Sequence, residues 1–223
     1  MRSILGRIAA LVIKLLQRRI RGSVTVEGRP YTVTPEVFNP KLYVTTSLLA
    51  SCLRVSRGDR VLDMGTGSGL LAIEAARCAR EVVAIDINPE AVRCAEENAR
   101  AHGVSDRISV MQGDLFTPLA EDEVFDVILF NPPYLDGSGK SLFDYAIYDP
   151  DKRVVGRFLK EAKSHLAPSG YIQMVYSSIA DPRRVLTLAQ ESGFMCVVVM
   201  QKRVLFERFF VFELFPRHTE GSQ

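Results

Sequence analysis

Three aspartates and one asparagine stand where apolar runs give out, and their order could do chemistry. Asp63 precedes Gly65-Thr66-Gly67-Ser68-Gly69, Asp86 closes "EVVAID", Asp114 sits in "QGDLF", and Asn131 opens "NPPY" after "VILF". Glycines at 65 and 67 allow a tight turn at a helix start, where a ligand can approach bare backbone. The loop departs from the dinucleotide fingerprint, which wants its third glycine where Leu70 stands. Asp63 puts a carboxylate where a pyrophosphate would be expected, so the site favours a cationic amine over an anionic cofactor. Asp86 follows at the spacing of about 20 residues at which an acidic side chain accepts from ribose hydroxyls. Each carboxylate taken singly reads first as a helix cap or turn residue. Their recurrence at successive strand ends argues for one site.

The stretch Phe130-Asn131-Pro132-Pro133-Tyr134 adds a stiff corner. Two prolines forbid ladder hydrogen bonds and a helix start, so the strand ends at Asn131 with that residue held extended. Strand ends of this kind border the ligand crevice of open α/β sheets. A planar amide or aromatic amine is a poor nucleophile because its lone pair is delocalised. A rigid pair of acceptors could engage its N–H groups and turn the nitrogen towards an electrophile.

The elements that position these residues alternate. After a small hairpin in "VTVEGRPYTVT" and a helix from about Thr45 to Leu53, the chain reads strand "RVLDMG", helix 68–79, strand "EVVAID", helix 89–102, strand "RISVM" and strand "FDVILF". Alternation predicts a parallel sheet covered on both faces. Asn88-Pro89, Asp149-Pro150 and Asp181-Pro182 each offer a capping side chain before a proline at the first helical position. A helix to about Leu166, strand "YIQMVY" and a helix 182–192 follow. "MCVVVM" and "RFFVFELF" are too close for a crossover helix and must be antiparallel neighbours. The expected fold is α/β, a Rossmann-like, doubly wound and mostly parallel seven-stranded sheet with an antiparallel C-terminal strand. Residues 1–34 form a basic amphipathic helix and the hairpin, 35–216 the main domain, and 217–223 a tail.

Apolar residues make up 47% of the chain, ample for one continuous core, and the net charge of +2 announces no nucleic acid. Cys52, Cys78, Cys94 and Cys196 lack metal-ligand spacing and read as buried thiols in a reducing cytosol. His102, His165 and His218 are isolated and call for no catalytic role. Residues 1–21 differ, since their charges (Arg2, Arg7, Lys14, Arg18, Arg19, Arg21) are all positive. At about 100° per residue, Ile4, Leu5, Ile8, Val12, Leu15 and Leu16 share one side, with Arg19 intruding. The segment is too short and charged to span a bilayer and lacks the cleavage site of a secretory signal. Its simplest reading lays the apolar face on the domain; the alternatives are substrate RNA, an acidic partner or a membrane surface.

Taken together, "VLDMGTGSG", "VVAIDINP", "GDLF" and "NPPY" resemble the class I S-adenosylmethionine-dependent methyltransferases, over roughly residues 35 to 215. "NPPY" is similar to the catalytic motif of the amino-methylating branch. "VILFNPPYLDG" and the closing "KRVLFERFFVFELF" are most similar to the HemK and small-domain methyltransferases, and "FNPKLYVTTSLL" resembles the substrate-side entrance of the latter. The resemblance implies S-adenosylmethionine as cofactor. It implies that Asp63, Gly65, Thr66, Gly67 and Gly69 hold the methionine part, Asp86 the ribose hydroxyls, Ile87 a face of the adenine, and Asp114 with Leu115 the adenine amine. Asn131 and the carbonyl of Pro132 would be the acceptor pair, fixed by Pro133, with Tyr134 stacking on the planar substrate group.

The expected activity is therefore N-methylation, most similar to that of enzymes acting on a release-factor glutamine, in the cytoplasm, without a metal or a membrane span, and with room for a small partner subunit. The alternative enzyme is an RNA methyltransferase acting on an exocyclic amine of adenine or guanine, with Tyr134 stacking a flipped base. A small-molecule amine is a further acceptor. The non-enzyme alternative is a cofactor-binding module without turnover.

Overall fold

The computed structural model describes residues 11–17, 22–42 and 44–217. Residues 1–10, 18–21, 43 and 218–223 lie outside the described residues, and with them most of the expected basic helix, Tyr43, His218 and the tail. Residues 11–17 are helical (α1). The hairpin pairs β1 (Gly22–Val26) with β2 (Arg29–Val33), antiparallel. Its turn puts Glu27 and Gly28 both at positive φ, the two-residue geometry that suits strand twist.

The main sheet contains β3 (Arg60–Met64), β4 (Glu81–Asp86), β5 (Ile108–Gln112), β6 (Phe125–Phe130), β7 (Leu166–Ser177), β8 (Phe194–Val204) and β9 (Glu207–Pro216). Its order is β5-β4-β3-β6-β7-β9-β8, with β9 antiparallel to both neighbours and the other pairings parallel. The expected seven-stranded, mostly parallel sheet with one reversed strand is the observed one. Helices α2 (Val44–Ala50), α3 (Leu70–Ala75) and α4 (Pro89–Ala101) cover one face; α6 (Arg153–Ala162) and α7 (Pro182–Glu191) cover the other. A short α5 (Leu142–Tyr145) lies in the loop after "NPPY".

Strand alternation divides β6 between two cores. Val127 and Leu129 join the α2–α4 side, Ile128 and Phe130 the α6–α7 side, all essentially buried. Continuous apolar sequence is what a strand covered on both faces requires. The hairpin's Val24, Val26, Tyr31 and Val33 belong to the same core as α3 and α4. Asn98 of α4 locks it there, accepting from Thr32 N at 2.7 Å and donating to Thr32 O and Ser68 O at 2.9 and 2.8 Å.

The three Asx-Pro helix starts differ in how the side chain is used. Asn88 caps α4 by accepting from Glu90 N, as expected. Asp149 instead reaches further along, accepting from Val154 N and Val155 N of α6, because Asp151 and Lys152 turn left-handed between them. Asp181 makes no side-chain cap at all: its own φ of 56° turns the carboxylate away from the helix start. Helix α3 is shorter than 68–79, since left-handed Gly69 delays its start and Ala76 ends it.

The simplest reading of the basic helix is overturned for residues 11–17. Gln17 is buried and Ile13 and Lys14 half-buried, whereas Leu11, Val12, Leu15 and Leu16 are exposed. The polar side of α1 packs on the domain because that side meets an acidic partner and open backbone carbonyls: Lys14 pairs with Asp144 at 2.5 Å, and Gln17 donates to Thr34 O and Val37 O. Among the described residues no helix is long and apolar enough to cross a membrane.

Candidate active site

One cleft crosses the carboxyl ends of β3, β4 and β6. It is lined by Gly65, Thr66 and Gly67, by Asp86 and Ile87, by Asp114 and Leu115, and by Asn131 to Tyr134. The structure thus gathers the four separated sequence motifs. Asp63 and Gly69 stand behind the lining.

Asp63 is fully buried at the end of β3, where its Oδ2 accepts from Thr66 Oγ1 at 2.6 Å and Ala72 N at 3.0 Å. The carboxylate thereby braces the glycine loop against α3. Its Oδ1 is buried without a hydrogen-bond partner in the protein, and burial pushes the carboxyl up to about 7. Gly69 at φ 79° is needed twice over: a Cβ there would approach the Ala95 Cα to 3.0 Å, so any side chain would push α4 away from the loop.

Asp86 at the end of β4 accepts from Gly67 N and Asn88 N, both at 2.9 Å. Burial raises its pKa against the pull of these N–H groups. Ile87 beside it is 42% exposed and offers an apolar face to the cleft. Asp114 is half exposed, its Oδ2 held by Arg157 Nη1 at 2.9 Å. Leu115 follows at φ 52°, buried. This donor and acceptor set fits a ligand with a cation, a ribose and a flat apolar base. The one basic side chain lining the cleft among the described residues, Arg157, is already paired with a carboxylate, which suits a phosphate-free ligand.

At the end of β6, Asn131 Nδ2 donates to Thr46 Oγ1 of α2 at 3.0 Å. That contact turns the amide so that Oδ1 is left for another donor. Tyr134 packs its ring 5.8 Å from Tyr176, tilted by 60°. Lys152, almost wholly buried, donates Nζ to Tyr134 O at 3.4 Å and to Asp136 Oδ1 at 3.1 Å, clamping the exit from the motif. The outer wall is apolar, from Ile13, Phe38, Leu142 and Ile147.

Sequence reasoning missed Thr46, Lys152 and Arg157. Thr46 lies 85 positions from Asn131 and Arg157 43 from Asp114. Only the "FNPKLYVTTSLL" segment gave any signal, and for Thr46 alone. His102 Nε2 and His165 Nδ1 donate to the backbone carbonyls of Pro30 and Glu123, away from the cleft.

The sequence profile of the methyltransferase small domain family matches residues 32–205. A candidate protein N5-glutamine methyltransferase of Methanocaldococcus jannaschii is 33% identical over 195 residues, covering 84% of this chain and 96% of that protein. The release factor glutamine methyltransferase of Geobacter sulfurreducens is 29% identical over 188 residues. That alignment covers 78% of this chain and 65% of the bacterial protein. Among solved structures, the Thermus thermophilus 16S rRNA N2 G1207 methyltransferase, in complex with AdoMet and guanosine, matches with a TM-score of 0.65 and 25% identity, over 87% of this chain and 50% of that one.

Proposed function

The chain belongs to the methyltransferase small domain family and is an S-adenosylmethionine-dependent methyltransferase, and we propose that its acceptor is the side-chain amide of a glutamine in a protein. The observation that carries this reading is the Asn131–Thr46 contact. With its Nδ2 engaged by Thr46, Asn131 presents a carbonyl oxygen at the cleft, next to the backbone carbonyl of Pro132. Two acceptors on a proline-stiffened corner match the two N–H groups of a primary amide.

The cofactor supplies an electrophilic methyl group carried on a sulfonium. In our reading Asp86 holds its ribose, the 65–67 backbone and the braced Asp63 its amino-acid part, and Ile87, Asp114 and Leu115 its base. Asn131 and Pro132 hold the acceptor nitrogen in line, and Tyr134 lies against the flat amide. The nitrogen's proton becomes acidic as the nitrogen gains positive charge, so it leaves to water and no strong base is required. Catalysis is then mostly positioning and electrostatics. The names of the archaeal and bacterial relatives support a protein glutamine, with a release factor as the first substrate to try. We place the reaction in the cytoplasm, where four free thiols are at home.

The test is transfer of labelled methyl from S-adenosylmethionine into an extract of cells lacking the gene, followed by protease or nuclease digestion. Protease-sensitive label released by acid hydrolysis as methylamine is the expected result, because an N-methylated amide hydrolyses that way and methyl-lysine does not. Nuclease-sensitive label would instead assign an exocyclic base amine.

A further inference from the structure

The outermost strand of the sheet is poorly guarded. Among the described residues β8 pairs with β9 alone, which leaves the backbone N–H and C=O groups of its other edge without a ladder. Native edges are commonly blocked by charge, by proline or by shortness. β8 runs for 11 residues, and from Phe194 to Met200 it holds no charge and no proline. Met195, Val197, Val198, Val199 and Met200 are exposed by 53, 42, 51, 39 and 39%. Its one irregularity is a bulge at Val199, where the register with β9 passes from Val198–Phe212 to Met200–Val211. The turn that follows is apolar as well, with Leu205 and Phe206 almost wholly exposed.

We propose that this edge pairs with β8 of a second copy of the chain, antiparallel, about a two-fold axis perpendicular to the sheet. Such an axis keeps every residue on its own face, so two residues can stand opposite each other only if they share a face. The bulge arranges this for the apolar run. Before it, Cys196 and Val198 oppose Leu214 and Phe212 of the α6–α7 core, so Met195 and Val197 point to the other face. After it, Met200 opposes Val211 of the α2–α4 core and therefore shares the face of Met195. With Val197 on the axis, Met195 meets Met200 and Cys196 meets Val198, each pair on one face and each pair apolar. Further out, Lys202 and Arg203 come opposite Gly193 and Ser192 of the second copy, beside its Glu191, an exposed carboxylate 3.8 Å from Arg184. Those two cations are the only charges from residue 192 to residue 206. Parallel pairing would set them against their own copies, which is why the antiparallel arrangement is the one that fits. The two-fold turns the two clefts to opposite edges of one continuous sheet and leaves both open.

A contact along one strand edge is small for a stable interface, so the full chain is to be followed by sedimentation equilibrium up to about 200 µM. Its mass should rise with concentration towards twice the 24.9 kDa of one chain. Val197→Lys sets two ammonium groups face to face on the axis and should raise the dissociation constant at least ~10-fold, with an unchanged circular dichroism spectrum. Val124→Lys, at an exposed apolar position outside β8, should leave the dimer as it is. Hydrogen exchange over residues 194–201 should slow as the native chain is concentrated, and should not in Val197→Lys. A monomer throughout that range, a dimer that Val197→Lys leaves intact, or exchange along β8 that ignores concentration would each overturn the proposal.

Discussion

Arg157 of α6 reaches Asp114 beyond β5, Nη1 to Oδ2 at 2.9 Å, and ties the β5 side of the cleft to the helix layer beneath it. Both side chains are about half exposed, at 48 and 46%. Exposed pairs are worth roughly 0–1 kcal/mol. Arg157→Met should therefore raise the dissociation constant for S-adenosylmethionine by no more than about 5-fold and leave kcat unchanged. Titration calorimetry together with steady-state rates checks this; a large fall in kcat would mean that Arg157 touches the acceptor.

Asn131→Ala should leave cofactor affinity near that of the native enzyme and cut turnover at least ~100-fold, because the lost acceptor acts mainly in the transition state. Thr46→Val removes only the group that orients the amide. Turnover should fall about 10-fold with the cofactor dissociation constant unchanged, and Thr46→Ser should restore it. Unchanged turnover in Asn131→Ala would sink the mechanism outright.

Asp86→Ala should weaken S-adenosylmethionine binding by about 10- to 100-fold, the range expected for hydrogen bonds to a charged acceptor. The same change frees Gly67 N and Asn88 N, so the melting temperature should drop as well. Calorimetry showing undiminished affinity would move the ribose elsewhere.

Asp63 predicts a pH dependence of stability. Its carboxyl sits at about 7 in the fold and near 3.9 in the unfolded chain. Between these values the folded state holds the extra proton, so stability falls as pH rises through that window, with a slope of at most about 1.4 kcal/mol per pH unit. Asp63→Asn starts from a lower stability, because its amide nitrogen is buried without a partner, but it should lose this slope. Urea unfolding at pH 5 and pH 7.5 in both proteins measures the difference, and parallel lines would refute the assignment.

What the sequence disclosed about the site depended on short-range order. Asp63, Asp86, Asp114 and Asn131 could be placed together because each ends an apolar run, and strand ends of a parallel sheet share one edge. Asn88 announced its cap because the capped N–H lies two residues on. Thr46 and Arg157 could not be read, since their meaning lies in contacts closed over 85 and 43 positions. The orientation of α1 was misread for a related reason: amphipathic spacing gives two faces, and which one packs was decided by Asp144 and the carbonyls of residues 34 and 37.

The placement of β9 between β7 and β8 sets a timetable for biogenesis. On the ribosome, β8 emerges first and finds no seat, because its one ladder is with β9. Until residues 207–216 follow, the nascent chain carries an unpaired apolar strand and β7 an open flank. Such long-range closure is slow and leaves edges open to misassociation. The polypeptide therefore becomes a competent enzyme only once β9 has been synthesised, and a ribosome that stalls before it would release an inactive, aggregation-prone fragment.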